Sequence, residues 1–98
     1  MQPGGTVVTV NRTRVLIRRD DVLEAEVDGE RVVMSGRSYT YFGLVGTGLA
    51  VWQRIDGTAN VDDIVAALAE EYDADRSQID ADVVEFVSAL EAAQLIET

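Results

Sequence analysis

The stretch Leu23-Glu24-Ala25-Glu26-Val27-Asp28-Gly29-Glu30-Arg31-Val32-Val33-Met34 decides the fold class. Leu23, Ala25 and Val27 alternate with Glu24 and Glu26, the period-two pattern of a strand with one face toward water. Asp28-Gly29 supplies the two positive-φ positions of a tight hairpin, and Arg31 to Met34 returns antiparallel. Ser35-Gly36-Arg37 reads as a second turn. Ser38-Tyr39-Thr40-Tyr41-Phe42 then follows as a third strand with three aromatics in four positions. Upstream, Val7 to Val10 and Val15 to Ile17 read as one or two further strands, to which the sequence assigns no partner.

Beyond Leu44 the apolar spacing changes to three and four, and three helical segments follow. The first runs from Thr47 to Ile55, with Leu49, Val51, Trp52 and Ile55 inward and Asp56-Gly57 as its stop. The second starts where Asn60 caps, with Asp62 and Asp63 in the first turn and a core stripe of Val61, Ile64, Val65, Leu68 and Tyr72. The third starts at Ser77 or Asp80 and runs to Ala93, with Ile79, Val83, Phe86, Val87 and Leu90 on one face, and Leu95 and Ile96 complete the packing. Strands first and helices after, in a chain of 98 residues, is a single α+β domain.

Charge narrows the chemistry. The chain has eight Arg, 18 acids and no Lys, His or Cys, a formal charge of −10. Disulfides, thiolate catalysis and the usual ligands of zinc and haem are thereby excluded. Clustered acid also opposes phosphate backbones and anionic lipid, so neither nucleic acid nor a membrane is an expected partner. The charge is divided unevenly: residues 1–54 hold seven Arg and six acids, net +1, and residues 55–98 hold one Arg and twelve acids, net −11. No apolar run approaches the roughly 20 residues of a membrane span, and the amino terminus lacks a signal-peptide pattern, so a cytoplasmic location is expected.

Three candidate sites of chemistry fail on their spacing. Gly43-Leu44-Val45-Gly46-Thr47-Gly48 is G-x-x-G-x-G, neither the dinucleotide fingerprint nor a P-loop. Asp73-x-Asp75-x-Ser77 imitates the start of a calcium loop, yet its glycine position is Gln78 and its twelfth position is Val84. The pairs Asp62/Asp63, Glu70/Glu71 and Asp80/Asp82 lie on helices, where a solvated face explains them. No catalytic residue, metal or cofactor is expected. What stands out is an aromatic third strand with side chains on both faces, and a third helix with Asp82, Phe86, Ala89 and Ala93 along one flank of its core face. Such residues are ordinarily plain core; alternatively they line a groove that is part apolar and part acidic.

Tyr41-Phe42-Gly43-Leu44-Val45-Gly46-Thr47-Gly48, Val51-Trp52, Ile55-Asp56-Gly57, Val61-Asp62-Asp63-Ile64, Leu68, Tyr72, Asp82-Val83, Phe86-Val87, Leu90 and Leu95-Ile96 together resemble the PqqD-like family. These are recognition domains for precursors of ribosomally synthesised, post-translationally modified peptides. The resemblance runs from about Val22 to Ile96. It departs from the family pattern at Leu44-Val45, where many relatives have Leu-Asn, and at Gln94, where they have Gly. The resemblance implies a winged-helix-like domain, a three-stranded antiparallel sheet followed by three helices. Residues 22–98 would form it, and residues 1–21 an arm or extra strand.

The function this resemblance implies is that of a peptide chaperone, not an enzyme. A leader peptide adds as a strand to the third strand beside helix three and is delivered to a maturation enzyme: a leader protease, a cyclase or a radical SAM enzyme. Carried onto this chain, the peptide-binding residues are Tyr39, Thr40, Tyr41 and Phe42, with Val83, Phe86 and Ala89 receiving apolar anchors and Asp82 and Glu85 reading polar or basic groups. Lasso-peptide and quinone-cofactor pathways both use such domains. The alternatives are PqqD proper or an acidic scaffold subunit that docks a basic enzyme, and the chain is expected as a monomer or an edge-strand dimer.

Overall fold

A computed structural model describes residues 11–97. The elements are β1 (Ile17–Arg18), β2 (Val22–Val27), β3 (Glu30–Ser35), β4 (Tyr41–Leu44), α1 (Gly46–Gln53), α2 (Val61–Tyr72), α3 (Arg76–Ala92) and β5 (Ile96–Glu97). β2, β3 and β4 form an antiparallel sheet in that order, and β1 pairs with β5 in a second, two-stranded sheet. This is the expected α+β arrangement of three strands and three helices. The segment Val7 to Val10 lies outside the described residues.

The hairpin forms at the expected place. Asp28 (φ 55) and Gly29 (φ 82) occupy the left-handed region, and Val27 faces Glu30 across the two-residue turn. Its facing is the reverse of the one that alternation suggests. The register aligns Val22, Glu24 and Glu26 with Ser35, Val33 and Arg31, and Val33 and Ser35 are fully buried. The glutamate side of β2 therefore looks toward α1, while Leu23, Ala25 and Val27 look into solvent. The reason is electrostatic: Glu24 accepts the Trp52 indole N–H at 2.9 Å and pairs with Arg31 at 3.1 Å and Arg18 at 3.3 Å.

The third strand of the sheet starts later than its composition suggests. Tyr39 has φ 61 and donates its N–H to the Ser35 carbonyl, and the Thr40 carbonyl accepts from Ser35 N–H, both at 2.9 Å. Ser38 to Thr40 is thus a tight loop, and β4 begins at Tyr41 and extends through Leu44. The buried Ser35 Oγ holds this loop by accepting from the backbone N–H of Arg37 and Ser38.

The helices follow their signals closely. Asn60 and Asp63 form a reciprocal capping box at the start of α2, with N···O distances of 2.8 and 3.0 Å. Val61, Ile64, Val65 and Leu68 are buried as expected; Tyr72 is exposed, since it is the last residue before the left-handed cap at Asp73. Asp75 caps α3 by accepting Ser77 N–H, which starts that helix at Arg76. α1 ends at Gln53, short of Ile55, and the positive-φ Gly57 lies in the loop beyond it. Leu16 is fully buried and its N–H reaches the Ala59 carbonyl; Ile17 faces Glu97 and Arg18 faces Ile96, so the partner of the upstream strand is the end of the chain. Leu16, Val33, Leu44, Trp52, Leu68, Leu90 and Leu95 contribute to one continuous core, of which Trp52 is the largest member.

Both departures from the family pattern have a local physical cost. Val45 is the N-cap of α1 and offers no side-chain acceptor, where Asn would cap. Gln94 sits at φ 64, a conformation natural to Gly. Val45→Asn and Gln94→Gly are each expected to raise stability by about 0.5–1 kcal/mol, read as a shift of the urea midpoint at unchanged slope.

Candidate functional site

β2 and β4 are the two edges of the three-stranded sheet, and the β4 edge is the one that lies beside α3. One side of β4 pairs with β3 in the register Met34–Tyr41, Val33–Phe42, Val32–Gly43 and Arg31–Leu44; the other pairs with no strand among the described residues. Such an edge leaves backbone N–H and C=O groups free to bond an added strand. Side-chain alternation directs Phe42 and Leu44 inward and Tyr41 and Gly43 outward.

Beside this edge lies the flank of α3. Phe86 meets Phe42 edge to face with ring centroids 6.3 Å apart, and its ring also lies on the backbone of α1 at Gly48, where an added Cβ would stand 3.4 Å from it. Three elements therefore converge on one half-buried phenyl ring. Ala89 is partly exposed farther along α3, and at the far end the Ser38 hydroxyl donates to the Ala93 carbonyl at 2.6 Å. Asp82 accepts from Gln78 at 3.1 Å, and Glu85 is exposed. The flank is thus apolar at Phe86 and Ala89 and acidic at its rim.

The expected residues fall into three groups. Tyr41, Phe42, Asp82, Glu85, Phe86 and Ala89 lie on β4 or on the exposed or half-buried part of the α3 flank. Val83 is wholly buried and supports the flank from beneath. Tyr39 and Thr40 lie in the loop before β4, with backbone groups already bonded to Ser35 and Ser38, so the stretch open to pairing is Tyr41 to Leu44.

Two charged clusters were not anticipated. Arg12 reaches Asp62 at 2.9 Å and Asp80, tying the start of the described chain to the first turn of α2 and the second turn of α3. Its hydrogen bond holds the Asp80 carboxyl below its ordinary range. The second cluster is Glu24, Arg18, Arg31 and Trp52. The Arg18 guanidinium stands 4.5 Å from the Trp52 ring centroid and donates to the Trp52 carbonyl at 2.6 Å. Desolvation pushes the Glu24 carboxyl up, but hydrogen bonds from Trp52 and Arg31 and the nearby Arg18 charge outweigh it and leave the group lowered. No sequence period signals either cluster, since each joins residues far apart in the chain. Among the described residues no group of three acids is placed to hold a metal ion, and no helix is long and apolar enough to cross a membrane.

Comparison with known proteins places this edge-and-helix arrangement among relatives. Residues 30–96 match the family model described as coenzyme PQQ synthesis protein D. Proteins named PqqA binding protein from Xanthomonas campestris pv. campestris (strain B100) and Xanthomonas euvesicatoria pv. vesicatoria (strain 85-10) are 44% and 46% identical over 48 residues. That span is 49% of this chain and 52% of each relative, so the alignment spans about half the length of the curated relatives it matches. The solved structure of TbiB1 in complex with the TbiA(beta) leader peptide is 32% identical, with a TM-score of 0.71, covering 83% of this chain and 94% of that one. The fold is also shared with a lasso peptide synthetase B1 complexed with a leader peptide (24% identity, TM-score 0.73, 87% of this chain and 100% of that one). A third match is the PqqD part of Methylobacterium extorquens PqqCD, a stand-alone recognition element (22% identity, TM-score 0.73, 93% and 97%).

Proposed function

The chain belongs to the PqqD family, and from that premise we propose that it captures the leader of a ribosomally made precursor peptide and delivers it to a maturation enzyme in the cytoplasm. The carrying observation is the unpaired edge of β4 lying beside Phe86 and Ala89 on α3. A leader laid along Tyr41 to Leu44 bonds to backbone groups, which gives affinity with little dependence on side chains. Every second leader side chain then faces α3. There an apolar residue packs on Phe86 and Ala89, and a basic or polar neighbour meets Asp82 and Glu85. Two or three anchors at about 1.5–3 kcal/mol each, less the cost of ordering the peptide, correspond to micromolar to nanomolar affinity. The protein acts as a carrier, and catalysis belongs to the partner.

The relatives support two precursor types. The TbiB1 structure, 32% identical to this chain, holds a leader peptide, TbiA(beta), and the curated relatives are named for binding PqqA. A leader of the TbiA(beta) type is the first reading because the likeness to TbiB1 extends over most of both chains, whereas the PqqA binding proteins match over half. The test is a titration of the isotopically labelled chain with one synthetic leader of each type. Amide shifts along Tyr41 to Leu44 and Asp82 to Ala89 are expected with the TbiA(beta)-type leader. Shifts confined to α2 would instead assign an acidic scaffold role and overturn leader capture.

A further inference from the structure

The reversed facing of β2 leaves an apolar surface that leader capture does not use. Three rows cross the outer side of the sheet: Leu23–Met34–Tyr41, Ala25–Val32–Gly43, and Val27–Glu30. Leu23, Val27 and Tyr41 are 60%, 54% and 69% exposed, and Glu30 is the single charged side chain in the three rows. The helices cover the opposite side, where Val33 and Leu44 are buried. We propose that this face is a dimerisation surface on which a second copy of the chain packs sheet against sheet.

Shape, charge and area each favour a second copy. A two-fold axis through the Ala25–Val32–Gly43 row sets the tall Leu23–Met34–Tyr41 row of one copy over the shorter Val27–Glu30 row of its partner, the self-complementarity an isologous interface needs. Aligned sheets pack about 10 Å apart. The net −11 of residues 55–98 resides mainly on and around the helices, behind each sheet, so the acidic layers of the two copies stand on the order of 30 Å apart. That exceeds three Debye lengths of about 8 Å at physiological ionic strength. The three rows expose on the order of 500 Å² per copy, so the pair buries about 1,000 Å², the small end of specific interfaces and fitting for a weak dimer. Face-to-face packing leaves both β4 edges open, so each copy remains able to accept a peptide strand.

Sedimentation equilibrium of the full chain from about 10 µM to about 1 mM, the window in which so small an interface associates, tests this directly. The weight-average mass is expected to climb toward that of a dimer. Amide shifts on dilution should map to Leu23, Ala25, Val27, Val32 and Met34. Leu23→Asp and Val27→Asp, both at exposed sites and checked for folding by circular dichroism, are each expected to weaken association at least tenfold. Added salt should leave association of the wild type nearly unchanged, since the acidic layers already stand more than three Debye lengths apart. A chain that stays monomeric at 1 mM overturns the proposal. So does a dimer that survives both substitutions with shifts confined to Tyr41 to Leu44, which would mean edge pairing instead.

Discussion

Phe86→Ala is expected to remain folded and to bind a leader peptide about ten- to a hundredfold more weakly than the wild type. Phe86 is half-buried, and its ring touches Phe42 and Gly48. Truncation therefore removes both the apolar wall a leader residue would pack on and the contact that fixes α3 beside β4. The loss of stability, about 1–2 kcal/mol for a partly exposed ring, leaves most of the 5–15 kcal/mol typical of a domain. Calorimetric titration well below the melting temperature separates the two effects. Phe86→Leu, which keeps much of the apolar volume, should recover most of the affinity. Binding by Phe86→Ala within twofold of wild type would move the site away from the α3 flank, whatever the change in melting temperature.

Local chemistry was legible in the sequence and facing was not. Asp28-Gly29, Asn60 with Asp63, and the stripes of α2 and α3 were readable because turn geometry, capping and helical period act within a few residues. The alternation in Leu23 to Val27 gave a strand with the correct register of faces but not which face is wet. That choice is made by Trp52, 28 positions away from Glu24, whose indole N–H needs an acceptor once its ring is buried. The start of β4 was misplaced for a related reason. Tyr39 has strand-forming chemistry, but Ser35 captures the backbone on either side of it and folds the segment into a loop. In the candidate site, the helical positions Asp82, Phe86 and Ala89 were reachable from periodicity together with the family resemblance, whereas Val83 on the same helix is turned fully into the core.

The reversed facing also links the two surfaces of the sheet. β4 contributes Phe42 to the groove and Tyr41 to the outer rows, so a peptide strand added to its edge continues both. Leader side chains that alternate with the anchored ones would stand beside Tyr41, at the margin of the outer face. Leader occupancy and dimerisation are then neighbours without sharing backbone groups, and saturating leader is expected to leave the association state unchanged.

The largest stability effect is expected at Trp52, because the same residue fills the core and sets the orientation of the sheet. Trp52→Ala should cost about 3–5 kcal/mol, enough to lower the melting temperature of a domain this small by roughly 15–30 °C. Three interactions go together: a fully buried indole, its N–H bond to Glu24, and the stacking of Arg18 over the ring. Trp52→Phe separates them. It retains most of the buried area but leaves Glu24 held only by Arg18 and Arg31, and should cost about 1–3 kcal/mol. Since the Glu24 carboxyl is held below its ordinary range, its contribution is full above the unfolded pKa and is lost as pH falls through the lowered folded value. Urea unfolding at neutral pH and again near pH 3 should therefore show the gap between wild type and Trp52→Phe narrowing in acid, because protonation weakens the ion pairs and the indole bond in wild type. A gap that is the same at both pH values would mean that Trp52 acts by volume alone and that Glu24 does not orient β2.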